Sequence, residues 1–230
     1  MNITPIASSS SGNAILVSDG KTNILLDCGV PAKKVQEHID LSDIDAVLIS
    51  HSHSDHTHGI SELVRRGIKA FASKGCADDM KQVKHRFMLK EITHLVPFEA
   101  GTFIVLPFHV VHDTPDPMGF LLKSTKTGEK LVYIVDSGYV KYDFSGINYW
   151  LIEANHCEDV LEASEMNHRL KLRIRKNHMS IQKAHKFLST SDLGSTKEIH
   201  LLHLSNSNSN ENLFVNKIQS LTGCPVYVHP

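Results

Sequence analysis

Short apolar runs recur along this chain and are broken by polar turns. NAILVS (13–18) and TNILLDC (22–28) predict two strands joined by a tight turn at Asp19-Gly20, which makes a hairpin. Pro31 opens a predicted helix that runs to about His38. DAVLIS (45–50) predicts a buried strand, GISELVRRG (59–67) a helix closed by glycine, and KAFAS (69–73) another strand. TFIVLPFHV (102–110), MGFLLKS (118–124), KLVYIVD (130–136) and YWLIEA (149–154) continue the strand series. SIQKAHKFL (180–188) is helical in pattern, EIHLLHL (198–204) is a strand, NENLFVNKIQSL (210–221) a helix and PVYVH (225–229) a last strand. Serine and asparagine in SNSNSNEN (205–212) supply helix N-caps, and the serines before Gly12 read as a turn. Apolar strands mixed with helices predict an α/β sandwich whose sheets are covered by helices.

Composition narrows this little. The chain has 230 residues, 41% hydrophobic and 21% charged, which suits one large globular domain over 1–230. The formal net charge of -1 excludes a global electrostatic grip on nucleic acid, so any polyanion contact must be local. The four cysteines, Cys28, Cys76, Cys157 and Cys224, are far apart and form no CxxC pair, so a reduced, cytoplasmic protein is expected. The opening MNITPIASSSSGN lacks the basic and apolar regions of a signal peptide, and no apolar run approaches the length of a membrane span.

The sixteen histidines are the compositional oddity. His51-x-His53-x-Asp55-His56 follows the strand DAVLIS directly. A strand end holds a loop rigidly, and alternate residues of H-x-H can point to one side. His51 and His53 can therefore grip one ion, while Asp55 and His56 face a second. Nitrogen and carboxylate ligands without thiolate suit zinc, manganese or iron. The alternative is a solvated, histidine-rich turn.

This stretch resembles the H-x-H-x-D-H signature of the metallo-β-lactamase fold superfamily, and Gly59 fits the glycine that follows it there. ILLDCG (24–29) resembles the first motif, in which the aspartate, here Asp27, orients the ligand loop without binding metal. FHVVHDTPDPMGF (108–120) resembles the third motif, with His112 as ligand and His109 as competitor. YIVDSG (133–138) resembles the fourth motif and LLHLSNSNSN (201–210) the last. The resemblance implies a four-layer αβ/βα sandwich and two divalent metal ions, Zn2+ or Mn2+. His51, His53 and His112 would hold one ion, Asp55, His56 and His203 the other, and Asp136 both. Two such cations would carry charge in excess of the two carboxylates and favour an anionic substrate.

SSSSGNAILV, LLDCG, SHSHSDHTHGI, HDTPDPMGF, VDSG, IEANH and HLSNSN together are similar to the YycJ/WalJ-type branch of metal-dependent DNA exonucleases. His178, in NHMSIQKAHKF, and Glu153, in LIEANHC, resemble the paired histidine and glutamate of the tRNA 3′-processing endonucleases. That resemblance implies a proton donor to a leaving oxygen, with Asp55, His178 and Glu153 as catalytic residues. The chain departs from the branch in the basic HRLKLRIRKNH (168–178) and in SNSNSN, where an arginine-containing run is usual. Read as a strand or extended edge, 168–178 would gather Arg169, Lys171, Arg173, Arg175 and Lys176 as a cationic face for a phosphate backbone, or merely as a solvated edge.

The function expected is a binuclear phosphodiesterase, a DNA 5′→3′ exonuclease above all, with nucleic acid or another phosphodiester as substrate and no membrane partner. RNA or a cyclic nucleotide, cleavage of a lactone, thioester or β-lactam, and metal binding without catalysis are the alternatives. The oligomeric state is left open.

Overall fold

The computed structural model describes residues 1–229. The chain divides into two compact units. One comprises Met1–His109 and Thr114–Glu129; the other comprises Val110–Asp113 and the described residues from Lys130 onward.

The first unit contains β1 (Asn2–Ser9), β2 (Gly12–Ser18), β3 (Asn23–Leu26), α1 (Ala32–Gln36), β4 (Ala46–Leu48), α2 (Ser54–Thr57), α3 (Ile60–Arg65), β5 (Lys69–Ser73), α4 (Lys74–Asp79), β6 (Leu89–Ile92), β7 (Phe98–Ala100), β8 (Phe103–His109) and β9 (Met118–Ser124). Strands β1 to β6 form a sheet in sequence order. β1, β2 and β3 run antiparallel, and β3 to β6 run parallel. The hairpin expected at Asp19-Gly20 is β2–β3, with Ile15 opposite Leu26. The serine run is a turn only at its end: Ser9 pairs with Gly12, so Ser8 and Ser9 finish β1. Apart from Asn23, strands β3 and β4 are apolar because both faces are covered. Leu25, Val47, Ile49 and Ala70 share a core with Val35 of α1 and with Ile60, Leu63 and Val64 of α3. The spacing of those three helix positions places them on one face. β7, β8 and β9 form an antiparallel ribbon.

The second unit contains β10 (Lys130–Ile134), β11 (Tyr149–Glu153), α5 (Glu158–Ala163), α6 (His168–Asn177), α7 (Ile181–Ser189), β12 (Glu198–Leu202), α8 (Glu211–Thr222) and β13 (Val226–Val228). Its four strands are parallel, β10 to β13 in order. Trp150 is fully buried, with Phe144 and Phe187 edge-on to its ring, and its Nε1 donates to Thr196 Oγ1 at 3.0 Å. Asn210 caps α8 by accepting from Leu213 N, and Gly223 ends it in the left-handed region.

The basic segment corrects the sequence reading. It is a helix, α6, capped by Asn167, whose side chain accepts from Leu170 N at 2.9 Å. At the helical period, alternate cations do not share a face. Lys171 instead donates to the carbonyl of Glu162, Arg175 bonds Glu158 and Glu162, and Arg173 bonds Asp113 at 3.0 Å. Of these, Arg175 is the one held by acids of the upstream segment EDVLEASE (158–165).

Candidate metal centre

In the first unit, the site residues gather at the ends of two parallel strands. Asp27 follows β3 and Ser50-His51 follow β4. Asp27 is fully buried, with φ of 56°. One carboxylate oxygen accepts Ser50 N at 2.7 Å; the other accepts Ser50 Oγ at 2.8 Å and lies 2.8 Å from His56 Nδ1. Nδ1–H of His56 pointing at Asp27 leaves Nε2 with its lone pair, which is the form a metal ligand needs. Asn13 Nδ2 lies 3.0 Å from that Nε2, and Asp55 Oδ2 lies 3.5 Å from it. His51 Nδ1 is 3.0 Å from Ser50 Oγ, and its Nε2 is 3.2 Å from His53 Nδ1. Two nitrogens on one tetrahedral ion, each about 2.0–2.1 Å from it, stand roughly 3.3 Å apart. The His51–His53 pair has that separation.

The backbone fixes this loop against the first motif. Cys28 N donates to His56 O at 2.9 Å, and Gly59 N donates to Cys28 O at 2.8 Å. A Cβ at Gly29 would lie 1.6 Å from the carbonyl oxygen of Asp55, so only glycine fits there.

In the second unit, the site residues also sit at the C-terminal ends of parallel strands. Asp136 follows β10, Glu153 ends β11 and His203 follows β12. Asp136 and His203 have φ of 45° and 54°. Together with Asp27, they are three of the five non-glycine residues in this region among the described residues. Strained backbone concentrated at strand ends marks sites that the surrounding fold enforces.

Glu153 is fully buried and organises this half. Its Oε2 accepts Ser137 N and Met179 N, each at 2.9 Å. Its Oε1 lies 2.7 Å from His178 Nδ1 and 3.2 Å from His203 Nδ1. Asp136 Oδ1 lies 2.8 Å from His203 Nδ1 and 3.3 Å from His178 Nδ1. The four groups Asp136, Glu153, His178 and His203 form one cluster. His112 turns Nδ1 to the carbonyl of Asn177 at 3.1 Å, and its Nε2 lies 3.8 Å from Asp136 Oδ2. His112 and His203 thus resemble His56: Nδ1 has a fixed partner, and Nε2 is the nitrogen left for a ligand bond.

Burial alone would lower the His178 pKa, but Glu153 and Asp136 outweigh it and push it up to about 10. Burial would raise Glu153, and the facing imidazoles hold it low instead. Burial dominates at His112 and lowers it, keeping the ring neutral. A cation on Asp136 would remove part of the support for charged His178.

His109, the competitor of His112, is exposed and faces His94 with ring centroids 5.4 Å apart. His58 is exposed. His156 is fully buried outside the cluster, 3.5 Å from Glu158. Ser50, Asn13, Ser137 and Asn177 are supporting groups that spacing did not single out. Ser50 and Ser137 adjoin motif residues, and adjacency is the one signal the sequence offers for them.

A family model described as a beta-lactamase superfamily domain matches residues 22–203. This chain belongs to the beta-lactamase superfamily. It is 32% identical over 222 residues to the exodeoxyribonuclease WalJ of Streptococcus pneumoniae serotype 2 (strain D39), covering 89% of this chain and 81% of that protein. It is 26% identical over 233 residues to the exodeoxyribonuclease YycJ of Bacillus anthracis, covering 93% and 86%. The crystal structure of the metallo-beta-lactamase fold protein YhfI from Bacillus subtilis is similar, with a TM-score of 0.75, 17% identity and coverage of 98% and 95%. The α/β sandwich implied by the motifs is therefore the fold of this superfamily member.

Proposed function

We propose that this superfamily member is a metal-dependent phosphodiesterase acting on nucleic acid, a DNA exonuclease of 5′→3′ polarity. Its two units would work as one catalytic domain, since the superfamily match runs through both. His51, His53 and His112 would hold one divalent ion, Asp55, His56 and His203 the other, and Asp136 both. The donor set of imidazole and carboxylate suits Zn2+ or Mn2+. The pinned Nδ1 atoms of His56, His112 and His203 support ligation through Nε2. When bound, such ions neutralise phosphoryl oxygens and acidify water.

The observation that carries the phosphodiester reading is the Glu153–His178 pair. Nδ1–H of His178 points at Glu153, whose carboxylate favours the charged ring, so that Nε2 would carry the second proton. That proton is available to a leaving oxygen, which a departing nucleoside alkoxide requires. Glu153 orients the ring and, through Ser137 N and Met179 N, fixes the segments on either side of it. The exodeoxyribonuclease names of the two relatives favour DNA as the polymer. The four cysteines are all free, and three are buried, which suits a reducing cytoplasm.

The test pairs metal analysis with a panel of bis-p-nitrophenyl phosphate, end-labelled DNA, RNA and nitrocefin. His178→Ala should keep its metal and lose about 10²–10⁴ in turnover. Asp55→Ala should lose an ion together with activity. Loss of metal in His178→Ala, or hydrolysis of nitrocefin alone, would overturn the assignment.

A further inference from the structure

The second unit holds a cleft outside the cluster of Asp136, Glu153, His178 and His203. It lies between the segment 138–143, just after Asp136 and Ser137, and helix α7, just after His178. Its volume is about 380 Å³, within the range of pockets for nucleotide-sized ligands.

The cleft has a definite chemistry. Met179 and Phe187 give it an apolar floor. Tyr139 stands on its wall with 64% of its surface exposed. Tyr142 carries the Lys141 ammonium 5.3 Å from its ring centroid. Lys183 and Lys186 reach the cleft from α7, and Asp143 is the one carboxylate in its lining. Lys183 is part of the frame: its ammonium donates to Gly138 O at 3.2 Å and to Arg175 O at 2.7 Å, tying α7 to the segment. Lys141 and Lys186 are exposed. The balance of three ammonium groups to one carboxylate favours an anion, and the aromatic faces favour a flat, apolar ring beside it.

We propose that this cleft seats an unstacked nucleobase of a single-stranded nucleic acid, one nucleotide away from the bond that is cut. The inference rests on the phosphodiesterase reading above and names the form of its substrate. Aromatic side chains beside basic ones are how proteins hold single strands without reading sequence, because every base has a π-face. A duplex keeps its bases stacked and paired, and pulling one out costs a few kcal/mol. The cleft lining at Gly138 and Met179 adjoins Ser137 and His178 in the chain, and Met179 N bonds Glu153, so the cleft is a neighbour of the Glu153–His178 pair. Lys186 and Lys141 meet the neighbouring phosphates.

Binding can be measured without turnover. Fluorescence anisotropy of labelled, phosphorothioate-linked oligothymidylate reads affinity for the intact protein, with a ribo-oligomer and a blunt duplex alongside. Tyr139→Ala should weaken single-strand binding about 5- to 150-fold, and Tyr139→Phe should restore most of it by returning a stacking face. Lys186→Glu should weaken binding and flatten its salt dependence. Binding of either single strand supports the cleft assignment, and the tighter one names the sugar. Wild-type affinity in both Tyr139→Ala and Lys186→Glu overturns it, as does binding of duplex alone. Failure to hydrolyse bis-p-nitrophenyl phosphate would count against the phosphodiesterase reading instead, so the two failures are separable.

Discussion

Asp27 shows how much one carboxylate outside the ligand set can control. It holds Ser50 by backbone and side chain and fixes one ring nitrogen of His56. Replacing it with alanine would leave a buried amide unsatisfied and let the imidazole turn. Asp27→Ala is expected to bind divalent metal about 10- to 100-fold more weakly while keeping the fold, as titration against a chelator would read. Glu153 is more constrained still, because four groups face it as donors: two backbone amides and two imidazoles. Much of this residue-level picture is legible in the sequence. The motif order names His51, His53, Asp55, His56, His112, Asp136 and His203, and the structure places each at a strand end, in the loop that follows one or, for Asp55 and His56, in the short helix α2 beyond it. The left-handed backbone at Asp27, Asp136 and His203 is not legible, because aspartate and histidine only tolerate that region and nothing in their spacing announces it.

At the level of elements, the turn between β2 and β3 is tied to the β7–β8 turn and to the end of β9. Asp19 Oδ1 accepts Lys21 N and Thr22 N, while Oδ2 accepts Thr102 Oγ1 and Ser124 Oγ, each at 2.6 Å. Burial opposes its charge, but these hydrogen bonds outweigh burial and lower its pKa to about 2. A carboxylate with a folded pKa below its unfolded value stabilises the fold above the unfolded pKa, near 4. That contribution is lost as pH falls through the folded value, near 2. The stability difference between wild type and Asp19→Asn, from urea unfolding, should be about 1 kcal/mol near neutral pH, once solvent screening is allowed for, and shrink between about pH 4 and 2. A second link is steric. A Cβ at Gly138 would fall 1.7 Å from Lys176 O, so Gly138→Ala must push the end of α6 away. Because His178 caps that helix, Gly138→Ala should depress kcat more than metal content, as assay and metal analysis on one preparation would show. Most strands and half of the eight helices among the described residues follow from apolar periodicity, whereas α6 does not. Alternating Arg, Leu, Lys and Ile satisfy a strand pattern, and only the Asn167 cap and the acids of α5 decide for a helix. Short elements such as α4 and β7 carry too few residues for any period to register.

On the scale of the whole molecule, a near-neutral chain leaves substrate attraction to local groups. Two of the five cations of α6, Arg173 and Arg175, are spent on Asp113, Glu158 and Glu162. A strand held by two lysines should therefore lose affinity only about sevenfold on a fourfold rise in salt. Buried thiols offer a different view of the intact protein. Cys28 is wholly enclosed between Asp27 and Gly29, and burial raises its pKa well above that of an open thiol. Its backbone clasps the stretch that carries His56 at His56 and at Gly59. Alkylating reagents can reach that sulfur only when the clasp lets go, so their rate measures how often this part of the molecule breathes. Saturating Mn2+ should slow modification of Cys28, followed by mass spectrometry, because an ion held by the loop favours its closed state. The same sulfur atom that packs the core thus becomes a clock for the opening of the site above it.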